Sequence, residues 1–357
     1  MKIIRITGNL RSFFALLALT SIFLLGSSLH MYGQSGTIVV GNKSGNTVSF
    51  IDRSTGKTIT TLPTGVQPHE VEVSGGGRWA VVANYGDREN PGNTLSVYNV
   101  KQASQARTIE LGKNTRPHGL DWIPGTSKIL VTTEGSKKLL VVDVKEGEIL
   151  KALDTRREIS HMVAVTPDGQ RAFVSSIRSG DVTVFSLPRG ERLAQLYSGK
   201  GAEGLAVSPD GKEVWVTNRA DNTLAVFDAK SLERIETLSC GDFPIRAKFS
   251  PNGRYFVVSN AQSGDVAIFH ANNKKLIKKI QMRPPVPEDK DPQRYFSEFE
   301  GTSVPIGVVV PDNRTAYISN TRSDVVTVID LGKLTIRGHY EAGKEPDGIN
   351  FSPLLPE

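Results

Sequence analysis

Three histidines stand at one recurring position of the chain: His69 in PHEVEV, His118 in PHGLDW and His161 in SHMVAV. In the same register a later unit offers Glu203, and the last offers Asp347. Imidazole nitrogens and a carboxylate are the ligand types that hold Zn or Cu. His69, His118, His161 and Glu203 are therefore a candidate metal set, with Zn or Cu as the expected ion. The same groups, with Asp347, also suit a general base working beside a cation that polarises a carbonyl. The structural alternative is that Pro-His-Gly merely begins a strand, its ring bonding a neighbouring loop. Glu70 and Arg246 lie one residue further along in their units and join the group.

A second set consists of amides. Asn42, Asn84, Asn218, Asn260 and Asn320 close equivalent apolar segments. Asn84, Asn218, Asn260 and Asn320, with Arg246 and Asp347, are candidate ligand-binding residues, set against the alternative of local backbone bonding. Cys240 is the one cysteine, so no internal disulfide is available. Haem-attachment Cys-x-x-Cys-His, the Gly-x-Ser-x-Gly elbow and a phosphate-binding Gly loop are all absent.

These residues are placed by a repeat of about 42 residues. Its clearest copy is GAEGLAVSPDGKEVWVTNRADNTLAVFDAKSLERIETLSCG, beginning at Gly201. A short apolar strand meets a Pro-Asp-Gly turn, a second apolar strand ends in Asn or Ser, and an alternating strand follows. Pro fixes φ and Gly accepts positive φ, so Ser208-Pro209-Asp210-Gly211 folds strand A onto strand B. Val182 and Val184 around Thr183 show the period of two of a half-buried strand. Taken on His69, His118, His161, Glu203, Ile245, Ile306 and Asp347, the steps are 49, 43, 42, 42, 61 and 41. Two steps are long, which places insertions at Tyr85 to Asn93 and at Gln281 to Ser303. Asp291-Pro292 in the second reads as the start of a short helix that brings Tyr295, Phe296 or Phe299 over the site.

Six units are complete. Three strands precede them and one follows, so the C-terminal strand is expected to supply strand A of the first blade. The fold expected is all-β: a seven-bladed propeller of four-stranded antiparallel blades, closed by the C-terminal strand.

The strand-B endings VVGN, VVAN, WVTN, VVSN and YISN resemble the YVTN family of β-propeller repeats, whose exported members include YncE-like proteins. The resemblance implies a rigid disc with a central channel and is silent on chemistry, since this architecture hosts binding proteins, lactonases, lyases and oxidoreductases.

Residues 1–34 carry Lys2, Arg5 and Arg11, then an apolar run from Phe13 to Leu25 and small residues, the layout of a secretory signal peptide. One domain, 35–357, then remains. The formal charge of +6 includes those three bases, and residues 1–34 hold no acid, so the remainder carries +3. That balance gives no polyanion footprint, and nucleic acid is not an expected partner. The expectation is a monomeric periplasmic or secreted binding module, free of a membrane span once the leader is removed. It would hold a small molecule, a metal or a protein at the channel mouth. The alternatives are a metal-assisted hydrolase or lyase of the propeller-lactonase type, and an accessory protein of a periplasmic redox enzyme.

Overall fold

The computed structural model describes residues 35–284, 294 and 296–357. The leader and the helix expected at Asp291 lie outside these residues. The described strands form seven antiparallel sheets of four, as the repeat predicts. Blade 2 consists of Pro68–Val73, Trp79–Gly86, Pro91–Asn99 and Ser104–Glu110, strands A to D. Strand A is Pro117–Trp122 in blade 3, Ser160–Val165 in blade 4, Ala202–Val207 in blade 5, Pro244–Phe249 in blade 6 and Pro305–Val309 in blade 7. Blade 1 takes strands B, C and D from Thr37–Asn42, Thr47–Asp52 and Thr58–Pro63, and strand A from Pro346–Ser352. Ile38 faces Phe351 and Val40 faces Ile349 across that closing pair.

Burial follows the distance from the channel. Strand B of blades 1, 6 and 7 (TIVVGN, YFVVSN, TAYISN) is buried at every residue, because a neighbouring blade covers each face. Strand D is the rim and is largely exposed, as in Arg234–Ser239. Trp215 is fully buried in the contact between blades 5 and 6, with Phe256 at 4.7 Å and Phe249 at 5.7 Å between ring centroids.

One local device positions the site. The A–B ladders of blades 2 to 7 slip register just after strand A begins, for example between Pro117 and Leu120 and between Ser160 and Val163. The slip releases a backbone N–H that needs another acceptor. In blade 3 Gly119 N donates to Thr132 Oγ1 at 2.8 Å, and that hydroxyl donates to the His161 carbonyl of blade 4 at 2.5 Å. Ser175, Ser259 and Ser319 bond the carbonyls of Glu203, Ile306 and Asp347 in the same way. His161, Glu203, Ile306 and Asp347 are thus each held through their own carbonyl by the preceding blade. Neighbouring strands A run so close that a Cβ on Gly119 would lie 2.5 Å from His161 O, and one on Gly348 2.2 Å from His69 O.

Candidate functional site

The repeat register brings the three histidines together. The His69 and His118 ring centroids are 4.8 Å apart, and those of His118 and His161 3.8 Å. All three side chains are buried. A second ring of residues, each following the Asn, Thr or Ser of the strand-B signature, faces the same space: Lys43, Tyr85, Glu134, Ile177 and Arg219. Sequence reasoning missed this ring. The register that aligned the histidines would have found it, since Glu134 follows Thr133 as Tyr85 follows Asn84 and Arg219 follows Asn218.

The two rings form a chain of polar contacts around the channel. Tyr85 Oη donates to Glu134 Oε2 at 2.5 Å, and Glu134 Oε1 lies 2.5 Å from His161 Nδ1. His161 Nε2 faces Glu203 Oε1 at 2.7 Å. Arg219 Nη1 meets the other Glu203 oxygen at 2.7 Å, and Arg246 Nη1 meets Oε1 at 2.9 Å. Arg246 Nε then donates to Glu70 Oε1 at 2.7 Å, which returns the chain to blade 2. His69 Nδ1 pairs separately with Asp347 Oδ2 at 3.1 Å.

These neighbours separate the charge states of adjacent rings. Burial pushes His118 well below the ordinary histidine value, and the flanking His161 and His69 add to the effect, so His118 is neutral. Burial acts the same way on His161, but Glu203 and Glu134 outweigh it and raise that histidine. Burial alone would raise Glu203; His161, Arg219 and Arg246 instead hold it far below the carboxylate range. Burial lowers the Lys43 amine to about 8 despite the pull of Asp347 and Glu345.

Above this floor lies a cavity of about 370 Å³. Lys43, Arg88, Arg116 and Arg219 line it against only two acids, Asp87 and Glu134. The blade 2 insertion supplies Tyr85, Gly86, Asp87 and Arg88, and Arg116 fixes it by stacking 5.0 Å over Tyr85 and donating to Asp87 O at 3.0 Å. The opposite half of the mouth is apolar. There the second insertion packs Phe296 and Phe299 against Phe243, with Ile245 and Ile306 in the same cluster, and Arg294 is buried on Asp324. Its described part is an element packed on blades 6 and 7, where a lid over the histidines was expected; Tyr295 lies outside the described residues.

The asparagines do not face this cavity. Asn84 accepts from Gly65 N and donates to Thr94 and Ser96. Asn218 accepts from Ser198, Asn260 from Cys240 and Asn320 from Ser303, while their amides donate to Thr223, Asp265 and Thr327. All four are buried anchors between a B–C hairpin and the segment leading out of the preceding blade, because a buried amide must satisfy both its ends. Arg246 and Asp347 do belong to the site. Burial pushes the Cys240 thiol up to about 12, so it is not a thiolate.

Residues 39–291 match the family described as "Lactonase, 7-bladed beta-propeller". No curated protein matches the sequence. Among solved structures, a functionally unknown protein from Desulfotomaculum acetoxidans DSM 771 is similar with TM-score 0.73 and 13% identity, over 90% of this chain and 100% of that one. Hydrazine synthase from Kuenenia stuttgartiensis is similar with TM-score 0.68 and 18% identity, over 85% of this chain and 98% of that one. At such identities the two structures speak for the fold alone. The family match covers well over half of the chain, in blades whose channel mouth carries convergent imidazoles and carboxylates, and the chain belongs to the seven-bladed β-propeller lactonase family.

Proposed function

We propose that the channel mouth binds a small anionic ester, a lactone in the first instance, and hydrolyses it. The observation that carries this is the pairing of a basic cavity wall with a proton-handling floor. Lys43, Arg88, Arg116 and Arg219 suit a carboxylate- or phosphate-bearing ligand of the size that about 370 Å³ admits. Arg219 is the cation placed to face a carbonyl oxygen, since its side chain is 26% exposed while Glu203 holds one end of it. Water activation falls to the cluster of His118, Glu134 and His161. Water adds to the carbonyl carbon, the ring C–O bond breaks, and the leaving alkoxide takes a proton from the floor. The products are a hydroxyl and a carboxylate.

Plain ligand binding is the coarser reading that this one contains. The likeness of VVAN, WVTN and YISN to exported YVTN repeats, together with the leader, supports a site outside the cytoplasm. Fractionation of the full-length chain tests that placement. For the chemistry, proton release from a panel of carboxylated and neutral lactones is the measurement. Turnover of anionic lactones is expected, with Arg219→Ala lowering kcat/KM at least about 100-fold and Arg88→Ala raising KM for the anionic members only. Saturable binding of the anionic lactones without turnover would return the protein to a binding module.

A further inference from the structure

We propose that His118, Glu134 and His161 bind one divalent transition-metal ion of the Zn type at the floor of the mouth, with Glu203 and Tyr85 as its outer partners. The ligand atoms of these three side chains lie within 4.8 Å of one another. Around a tetrahedral ion bonded at about 2 Å, ligand atoms sit ~3.3 Å apart, so small side-chain adjustments close the set.

Two independent observations single out this trio. His118 is 1% exposed, and its Nδ1 has no hydrogen-bond partner among the described residues. A buried imidazole nitrogen without a partner is uncommon unless something occupies its lone pair. Secondly, the surroundings have the form of an outer shell. His161 Nε2 lies 2.7 Å from the Glu203 carboxylate, an ion-pair approach without hydrogen-bond alignment that puts an acid at the far side of the ring and leaves Nδ1 for the ion. Tyr85 Oη donates to Glu134 Oε2, which orients the carboxylate and leaves Oε1. On binding, the proton shared by His161 Nδ1 and Glu134 passes to solvent, and no other bond changes.

The set differs from the one the repeat suggests. His69 is turned to Asp347, and both oxygens of Glu203 already meet cations, so Glu203 orients and Glu134 ligates. The fourth position opens on the cavity, where a metal-held water would meet an ester carbonyl. Only that last use rests on the hydrolytic reading above.

The test uses the full chain, stripped with chelator, and Zn²⁺ or Co²⁺ alone as probe. One equivalent is expected by calorimetry. His118→Ala and Glu134→Ala should each weaken binding more than about 100-fold, Tyr85→Phe and Glu203→Gln about 10- to 100-fold, and His69→Ala less than tenfold. Should a variant fail to fold, X-ray absorption on the Zn-loaded wild type counts the imidazole ligands directly, with two expected. Absence of stoichiometric binding, an unchanged affinity in His118→Ala, or a count other than two overturns the site. Lactone hydrolysis by metal-stripped protein would overturn the catalytic use while leaving the hydrolase reading intact. Tight metal binding without hydrolysis would overturn the hydrolase reading while leaving the metal site intact.

Discussion

Arg246 is the residue on which the charges of the mouth converge. Its guanidinium is buried between Glu70 and Glu203, carboxylates from blades 2 and 5. Burying an ion is costly, and here the cost is offset because Glu70 Oε1 and both Glu203 oxygens meet a cationic donor. Removing the cation leaves two acids facing a low-dielectric floor. Arg246→Ala is therefore expected to lose about 3–5 kcal/mol, the range for one partner of a buried pair. Arg246→Lys should recover only part of that loss, because a single ammonium cannot bond two carboxylates from a planar fork. Urea denaturation at neutral pH measures both; equal stability of the Lys variant and the wild type would show that charge alone matters. The sequence placed Arg246 in the group but not between these partners. Glu70 and Arg246 lie 176 residues apart, and they meet only because the ring of blades closes.

At the scale of the strand, the repeat explains what was legible and what was not. Strand order, the turns and the shared height of His69, His118 and His161 all follow from one register, because each blade repeats the same backbone. Glu134, Tyr85, Lys43 and Arg219 follow from the same register, each one residue past a strand-B Asn or Thr. Of the two roles open to the strand-B asparagines, ligand contact or local bonding, they take the local one, because the segment leading out of the preceding blade covers each strand-B terminus. The hydroxyl before that terminus proves the more informative residue. Thr132 and Ser175 each bridge a slipped strand-A N–H and the carbonyl of the next site residue. Thr132→Val keeps the shape and leaves both backbone groups without a partner, at about 1–3 kcal/mol; Ser175→Ala should cost a similar amount. Because the two carbonyls belong to His161 and Glu203, both variants should also weaken ligand binding at the mouth. A stability loss with unaltered binding would mean that the hydroxyls hold the blade and not the site.

For the whole disc, closure by Pro346–Ser352 leaves a channel with two unlike mouths. Three residues beyond the His69 position, strand A places Glu72, Asp121 and Lys248 at the far end, with the Arg246–Glu70 pair between the two levels. Burial raises Glu72 to about 8, with Asp121 and Glu70 adding to it and Lys248 and Asn350 opposing. Asp121 is raised to about 6, again by burial. Lys248 Nζ stands 4.0 Å from Glu72 and its side chain is 44% exposed, so water screens its pull. The sign of the linkage follows. A carboxyl raised on folding keeps a proton that the unfolded chain has released, so stability falls as pH climbs from the unfolded value near 4.5 toward 8. This is the reverse of the usual paired carboxylate. Glu72→Gln removes the ionisation and with it the loss. The variant should match the wild type near pH 5 and exceed it near pH 8.5, by on the order of 1 kcal/mol or more. Thermal melts of both proteins at the two pH values decide the matter: a gap that stays flat, or a Gln variant that is the weaker one at pH 8.5, would make Glu72 and Lys248 a stabilising ion pair and the far mouth a rivet of the fold.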